Sequence, residues 1–247
     1  MSERIVIKEI CEVYDGPHAT PKKTADGPVY LGIDAITDDG KINAKEFAHL
    51  SEEDYIKWTK RVTPQYGDIV FSYEATLGRY ALIPKDFYGC LGRRLAIIRN
   101  VSKDIDTLWL YYYFLSPEWK QFIQSKIIKG STVNRISVED FPTYTVPNIS
   151  IKVQRKIANI LSKIDEKIAL NNNINDNLAA MAYDIYMHTF FSKKPNAKLK
   201  DILTEAEKSS IQVGEAKISN GKYPFFTSGS TILKWNEPFV DGRNCFL

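Results

Sequence analysis

The segment Lys129-Gly-Ser-Thr-Val-Asn-Arg135 gathers an ammonium, two hydroxyls, a carboxamide and a guanidinium beside a glycine. Such groups donate hydrogen bonds to anionic oxygens and to the polar edges of bases. Lys129, Ser131, Thr132, Asn134 and Arg135 are therefore candidate binding residues. Other loops have similar chemistry: His18, Thr20, Lys22 and Lys23 around Pro17 and Pro21; Tyr73, Thr76 and Arg79 in a turn that Ser72 opens; and Arg93 with Arg94 after Gly92. Lys57, Lys60 and Arg61 are a further basic run that would flank a groove. Each has a plainer alternative: a solvated turn for the first loop, a core position for Tyr73, solvated faces for the arginine pair and the basic run. The types suit phosphate and base-edge contacts, and a nearly neutral reader must concentrate them on one face.

Catalytic signatures are missing. The chain has no GxxxxGK[ST] or GxGxxG phosphate loop and no HExxH or GxSxG motif. Asp68 and Glu74 are the one carboxylate pair worth weighing for nuclease chemistry, but Asp68 in Gly67-Asp-Ile-Val reads better as closing a turn. Cys11, Cys90 and Cys245 are far apart, as are His18, His49 and His188, so neither a disulfide framework nor a metal site is expected. Charged residues make up 26% of the 247, and hydrophobic residues 44%, which fits a folded soluble protein and excludes a disordered one. No apolar run reaches the roughly 18 residues of a membrane span, and Met1-Ser-Glu-Arg4 does not open a signal peptide. A reduced, cytoplasmic, non-membrane protein is expected. Net charge is +3, with residues 1–150 carrying 19 Lys/Arg against 20 Asp/Glu. Local clustering must then supply any positive face; Lys120, Lys126, Lys129 and Arg135 form one cluster in sequence.

The elements that would position these loops are short. Arg4–Val13, Val29–Ile36, Asp68–Ser72, Tyr80–Ile83 and Arg94–Arg99 read as strands, with turns at Gly16-Pro17, Gly27-Pro28 and Asp38-Asp-Gly-Lys41. Ser51 caps a helix whose first turn is acidic. Thr107–Ser125 carries Leu108, Tyr111, Tyr112, Leu115, Trp119, Phe122 and Ile123 at helical spacing, which reads as core.

From Lys152 to Phe191 there is no Gly or Pro. Ile157, Leu161, Ile164, Ile168, Ile174, Leu178, Met181 and Ile185 recur in steps that follow a coiled-coil heptad, and Asn171 takes a seam position where it would fix register. At 1.5 Å per residue the rod is about 60 Å long, more than one domain covers. After it, Ala197-Lys-Leu-Lys-Asp-Ile-Leu203 echoes Ile5-Val-Ile-Lys-Glu-Ile-Cys11, and Gly221–Gly229 loosely matches Gly27–Ile33. The second copy stops at Asn244–Leu247 in what reads as mid-strand. The expected organisation is α+β: a mixed α/β unit at 1–150, a long helical spacer at 151–192, and an incomplete second copy of the first unit at 193–247.

Three stretches in this order resemble the specificity subunits of type I restriction–modification systems. They are Asp15–Lys22 with Gly27–Ile33; Gly67–Ser72 with Thr76–Ile83; and Gly130–Thr132 followed by Ile136, Phe141, Val146-Pro147, Gln154 and Ile157–Ile168. The resemblance implies a non-catalytic subunit with target-recognition domains, each reading half of a bipartite site in double-stranded DNA, and helices that set the gap between halves. It implies modification subunits that methylate adenine and restriction subunits that cleave, in phage defence. S-adenosylmethionine, ATP and Mg would belong to those partners, and no cofactor to this chain. This chain holds one recognition domain, one helix and the start of a second domain. It is therefore expected either to work as a half-subunit homodimer through the helix, or to be a truncated coiled-coil or recombination fragment without productive DNA binding.

Overall fold

The computed structural model describes residues 3–130, 133–203 and 209–240. Compactness divides the chain into two units, Met1–Asp176 and Asn177–Leu247. Ser131 and Thr132, and the mid-strand reading of Asn244–Leu247, lie outside the described residues.

The first unit is built on a four-stranded antiparallel sheet. Its strands are β2 (Cys11–Asp15), β8 (Leu95–Asn100), β5 (Ile69–Ser72) and β6 (Tyr80–Leu82), in that spatial order. A second sheet has β3 (Thr24–Leu31) at its centre, antiparallel to β4 (Ala48–His49) and parallel to β7 (Gly89–Leu91). β1 (Arg4–Val6) pairs with β9 (Thr145–Pro147). Ile69, Phe71, Ala96 and Ile98 enter one core cluster; Val70, Leu95 and Ile97 enter another. Successive residues of a strand face opposite ways, so the unbroken apolar runs of β5 and β8 mark strands buried on both sides.

The first core is closed by α3 (Thr107–Leu115) and α4 (Pro117–Lys126). Trp119 is wholly buried there among Phe114, Phe122 and Phe141, and its indole N–H donates to the Tyr80 hydroxyl at 2.8 Å. The aromatic stripe is core, as its spacing indicates. The single helix expected over Thr107–Ser125 is nonetheless two. Pro117 cannot continue the helical hydrogen bonds, and the Ser116 hydroxyl accepts from the Trp119 N–H at 3.2 Å to start the second helix. Ser51 caps α2 (Glu52–Trp58) as expected, accepting from Asp54 N–H.

Arg4–Val13 also departs from a continuous strand, because Ile7–Ile10 forms a helical turn, α1. Ile7 and Ile10 are both buried while Lys8 and Glu9 are exposed; three residues apart in a strand, the two isoleucines would face opposite sides, and one helical turn brings both inward. The second copy of this motif forms the same turn, α6 (Leu199–Ile202). The strand expected over Val29–Ile36 ends at Leu31 and gives way to a 3-10 turn, Ile33–Ala35.

The long helix α5 runs Ile151–Tyr186 and passes into a π-helical turn, Met187–Phe191; the division between units falls inside it. Ala158 is buried and Ile157 packs against the first core, whereas Ile164, Ile168, Ile174, Leu178, Met181 and Ile185 stand 44–60% exposed. The second unit also contains α7 (Val213–Ile218) and a hairpin of β10 (Tyr223–Phe225) with β11 (Leu233–Trp235). Among the described residues, no helix is long and apolar enough to cross a membrane.

Candidate nucleic-acid interface

Antiparallel pairing decides where the candidate loops fall. Asp15 pairs with Ala96, Ser72 with Leu95 and Phe71 with Tyr80, so the end of β2, the end of β5, the start of β6 and the start of β8 share one edge of the sheet. The loops at 16–23, 73–79 and 92–94 therefore leave from the same place. Backbone bonds draw the fourth loop to them: Ile136 N–H donates to Tyr73 O at 2.8 Å, Tyr73 N–H donates to Arg94 O at 3.1 Å, and Arg135 bridges to both Glu74 and Ile128. Four segments spread over 120 residues of sequence thus converge on one sheet end.

Tight backbone geometry holds this end together. A Cβ on Gly16 would strike the Leu95 carbonyl oxygen, and one on Gly92 would strike that of Leu31. Ala75 (φ 65°) and Arg94 (φ 72°) occupy the left-handed region, which costs a non-glycine residue roughly 1–2 kcal/mol. Strain of this kind collects at functional sites.

The charges sort into spent and free. Glu74 is held by Arg94 Nε at 2.7 Å, and Asp15 lies 2.8 Å from His18 Nε2 and 3.9 Å from Arg61. Lys22, Lys23, Arg93, Lys129 and Arg135 are exposed, and among the described residues no carboxylate pairs with them. Thr20 and Asn134 are exposed beside them. A cavity of about 340 Å³ opens here, lined by Thr20, Lys23, Arg93 and Arg94 with Asp34 and Glu46 on its wall. The Tyr30 hydroxyl, also on that lining, accepts from Arg93 N–H at 3.1 Å. Cations suit phosphate oxygens, and the two carboxylates suit amino groups on base edges.

Three candidates are not presented as donors. Tyr73 is core, and burial, then the Asp15 carboxylate, pushes its phenol pKa up. Arg79 is folded onto its own domain: Nε and Nη2 donate to Asp38 at 2.6 and 3.2 Å, and Nη1 donates to Ile36 O at 3.1 Å. The Thr76 hydroxyl is buried, and the Thr76 carbonyl accepts from Ser72 Oγ. Lys57 pairs with Asp54, which leaves Arg61 as the member of its run that reaches the sheet end. Asp34, Glu46 and Tyr30 carried no local signal; they join the cavity only because β3 lies beside β7, which leads into Arg93.

Asp68 and Glu74 are not a pair, since they flank opposite ends of β5. Asp68 is 3% exposed; it accepts from Gln65 N–H at 2.8 Å, closing the turn, and is held by Arg99 at 2.7 Å. Among the described residues no cluster of His, Cys, Asp and Glu could hold a metal. Cys11 and Cys90 are buried free thiols whose pKa burial raises to about 12.

Residues 2–180 match the family model of the type I restriction modification DNA specificity domain. The chain belongs to that family. Its fold is similar to that of a type I restriction–modification S subunit from M. genitalium: 17% identity, TM-score 0.54, 97% of this chain and 63% of that one. An HsdS subunit from Thermoanaerobacter tengcongensis aligns at 20% identity and TM-score 0.46 over 68% of this chain and 38% of its own. A chain from a structure of type I R-M complex assembly and conformational transition aligns at 19% identity and TM-score 0.46, over 74% and 43%. This chain spans less than two thirds of the length of each.

Proposed function

We propose that the sheet-end loops read one half of a bipartite DNA site and that α5 pairs antiparallel with α5 of a second copy. Two identical readers then face a palindromic, gapped sequence, because two-fold protein symmetry imposes two-fold site symmetry. Modification subunits bound to this dimer methylate adenine, and restriction subunits complete the cleaving complex; S-adenosylmethionine, ATP and Mg belong to those partners. The observation that carries the reading is the apolar seam from Ile164 to Ile185, left open on a helix that the family resemblance assigns to coiled-coil pairing. An exposed stripe of this length needs a partner, and a second copy offers the same stripe. Light scattering on the purified chain is expected to give close to twice 28.2 kDa. A mass of 28.2 kDa at micromolar concentration would contradict homodimerisation and favour a fragment that takes its second half from another chain.

A further inference from the structure

The long helix is not merely continuous with the recognition unit; it is bolted to it at two points. Gln154 is 1% exposed, and its carboxamide is fully engaged with backbone from outside the helix. Oε1 accepts from Asp106 N–H at 2.8 Å, and Nε2 donates to Asp104 O at 3.0 Å and to Ile149 O at 2.8 Å. Asp106 in turn caps α3, accepting from Trp109 N–H at 2.9 Å. The first turn of α5 is thereby locked to the start of α3. Farther along, Tyr112 of α3 donates its hydroxyl to Asp165 Oδ2 at 2.6 Å, with Ala158 buried in between. Burial, then this bond to Asp165, pushes the Tyr112 pKa up, which keeps the phenol proton in place.

Two attachments constrain a rod where one would only hinge it. Gln154 and Asp165 are eleven residues apart, about 16 Å along the axis. The first pins the helix origin and the second fixes its direction. The need for direction follows from scale. At a lever arm of about 15 Å, the radius of gyration of a unit of this size, a swing of about 13° displaces the reader by about 3.4 Å, one base-pair step.

We infer that Gln154 and the Tyr112–Asp165 pair are positioning residues that fix the angle between the reader and α5, and so set the gap between half-sites to a single length. The inference rests on the half-subunit reading above. A buried polar side chain satisfied on every atom specifies one geometry where an apolar replacement would pack without orienting.

The test co-expresses the chain and its variants with a cognate modification subunit in a host lacking adenine methylation, and maps methyladenine at base resolution. Gln154→Met removes the first attachment, and Tyr112→Phe removes only a hydroxyl while keeping the ring's packing, so the second variant stays informative if the first misfolds. Both are expected to lower methylation at the native gap by about tenfold or more and to add sites one base pair longer or shorter. The bases of the half-site stay unchanged, a combination that simple loss of stability does not produce. A gapped motif in the parent with an unchanged gap in Tyr112→Phe overturns the clamp alone. An unmethylated genome with the parent chain overturns the half-subunit reading, and the clamp with it.

Discussion

Replacing Ile164 and Ile174 with aspartate is expected to leave the recognition unit folded while abolishing self-association and methylation together. Both side chains are close to half exposed in the single chain, so an aspartate at either position meets water and costs the fold little. In an antiparallel dimer the same positions are buried in duplicate. Each buried, unpaired carboxylate costs several kcal/mol, so the dimer should weaken by more than a thousandfold. Light scattering should report the 28.2 kDa chain in place of the dimer. A double variant that remains dimeric would mean that α5 is not the interface.

Lys129→Ala with Arg135→Ala is expected to weaken duplex DNA binding by the assembled complex about tenfold to a hundredfold at moderate salt. If both side chains meet phosphates, the slope of log affinity against log salt falls by about 0.9 for each contact in each copy. A base contact would register differently, as relaxed preference at one position of the site with little change in slope. Arg79→Ala is the informative control. Arg79 is committed to Asp38 and Ile36, so its loss should cost about 1 kcal/mol of stability, discounted because Asp38 is exposed, and leave DNA affinity unchanged. An Arg79→Ala variant that binds as weakly as the double variant would overturn this map of the interface.

Sequence carried much of this architecture, for identifiable reasons. The long helix α5 was legible because a rod is one-dimensional: spacing along the chain is spacing along the face. Buried strands β5 and β8 announced themselves by apolar runs, and Ser51 by its acidic first turn. The breaks in regularity were harder. Ile7 and Ile10 fit a strand locally, and only the shared core beneath them selects a helical turn. Ser116-Pro117 held the break between α3 and α4 in plain view, but the aromatic stripe runs through both helices.

The candidate interface divides along the same line. Residue type marked Lys23, Arg93, Lys129 and Arg135 as candidate donors, and sheet order brings their loops together. Type alone could not separate Arg135 from Arg79, because that distinction depends on Asp38, 41 residues away, taking the guanidinium. Nor could it find Asp34 and Glu46, whose place beside Arg93 follows from the parallel pairing of β3 with β7. Long-range pairing decides which donors face outward, and it has no local signature.

The most direct test of the central claim is the base-resolution methyladenine map of a genome exposed to this chain and a cognate modification subunit, with no other specificity subunit present. The account predicts methylation at a palindromic sequence with two identical half-sites and one fixed gap. An asymmetric bipartite motif, or an unmethylated genome despite an intact purified complex, would contradict a homodimeric reader.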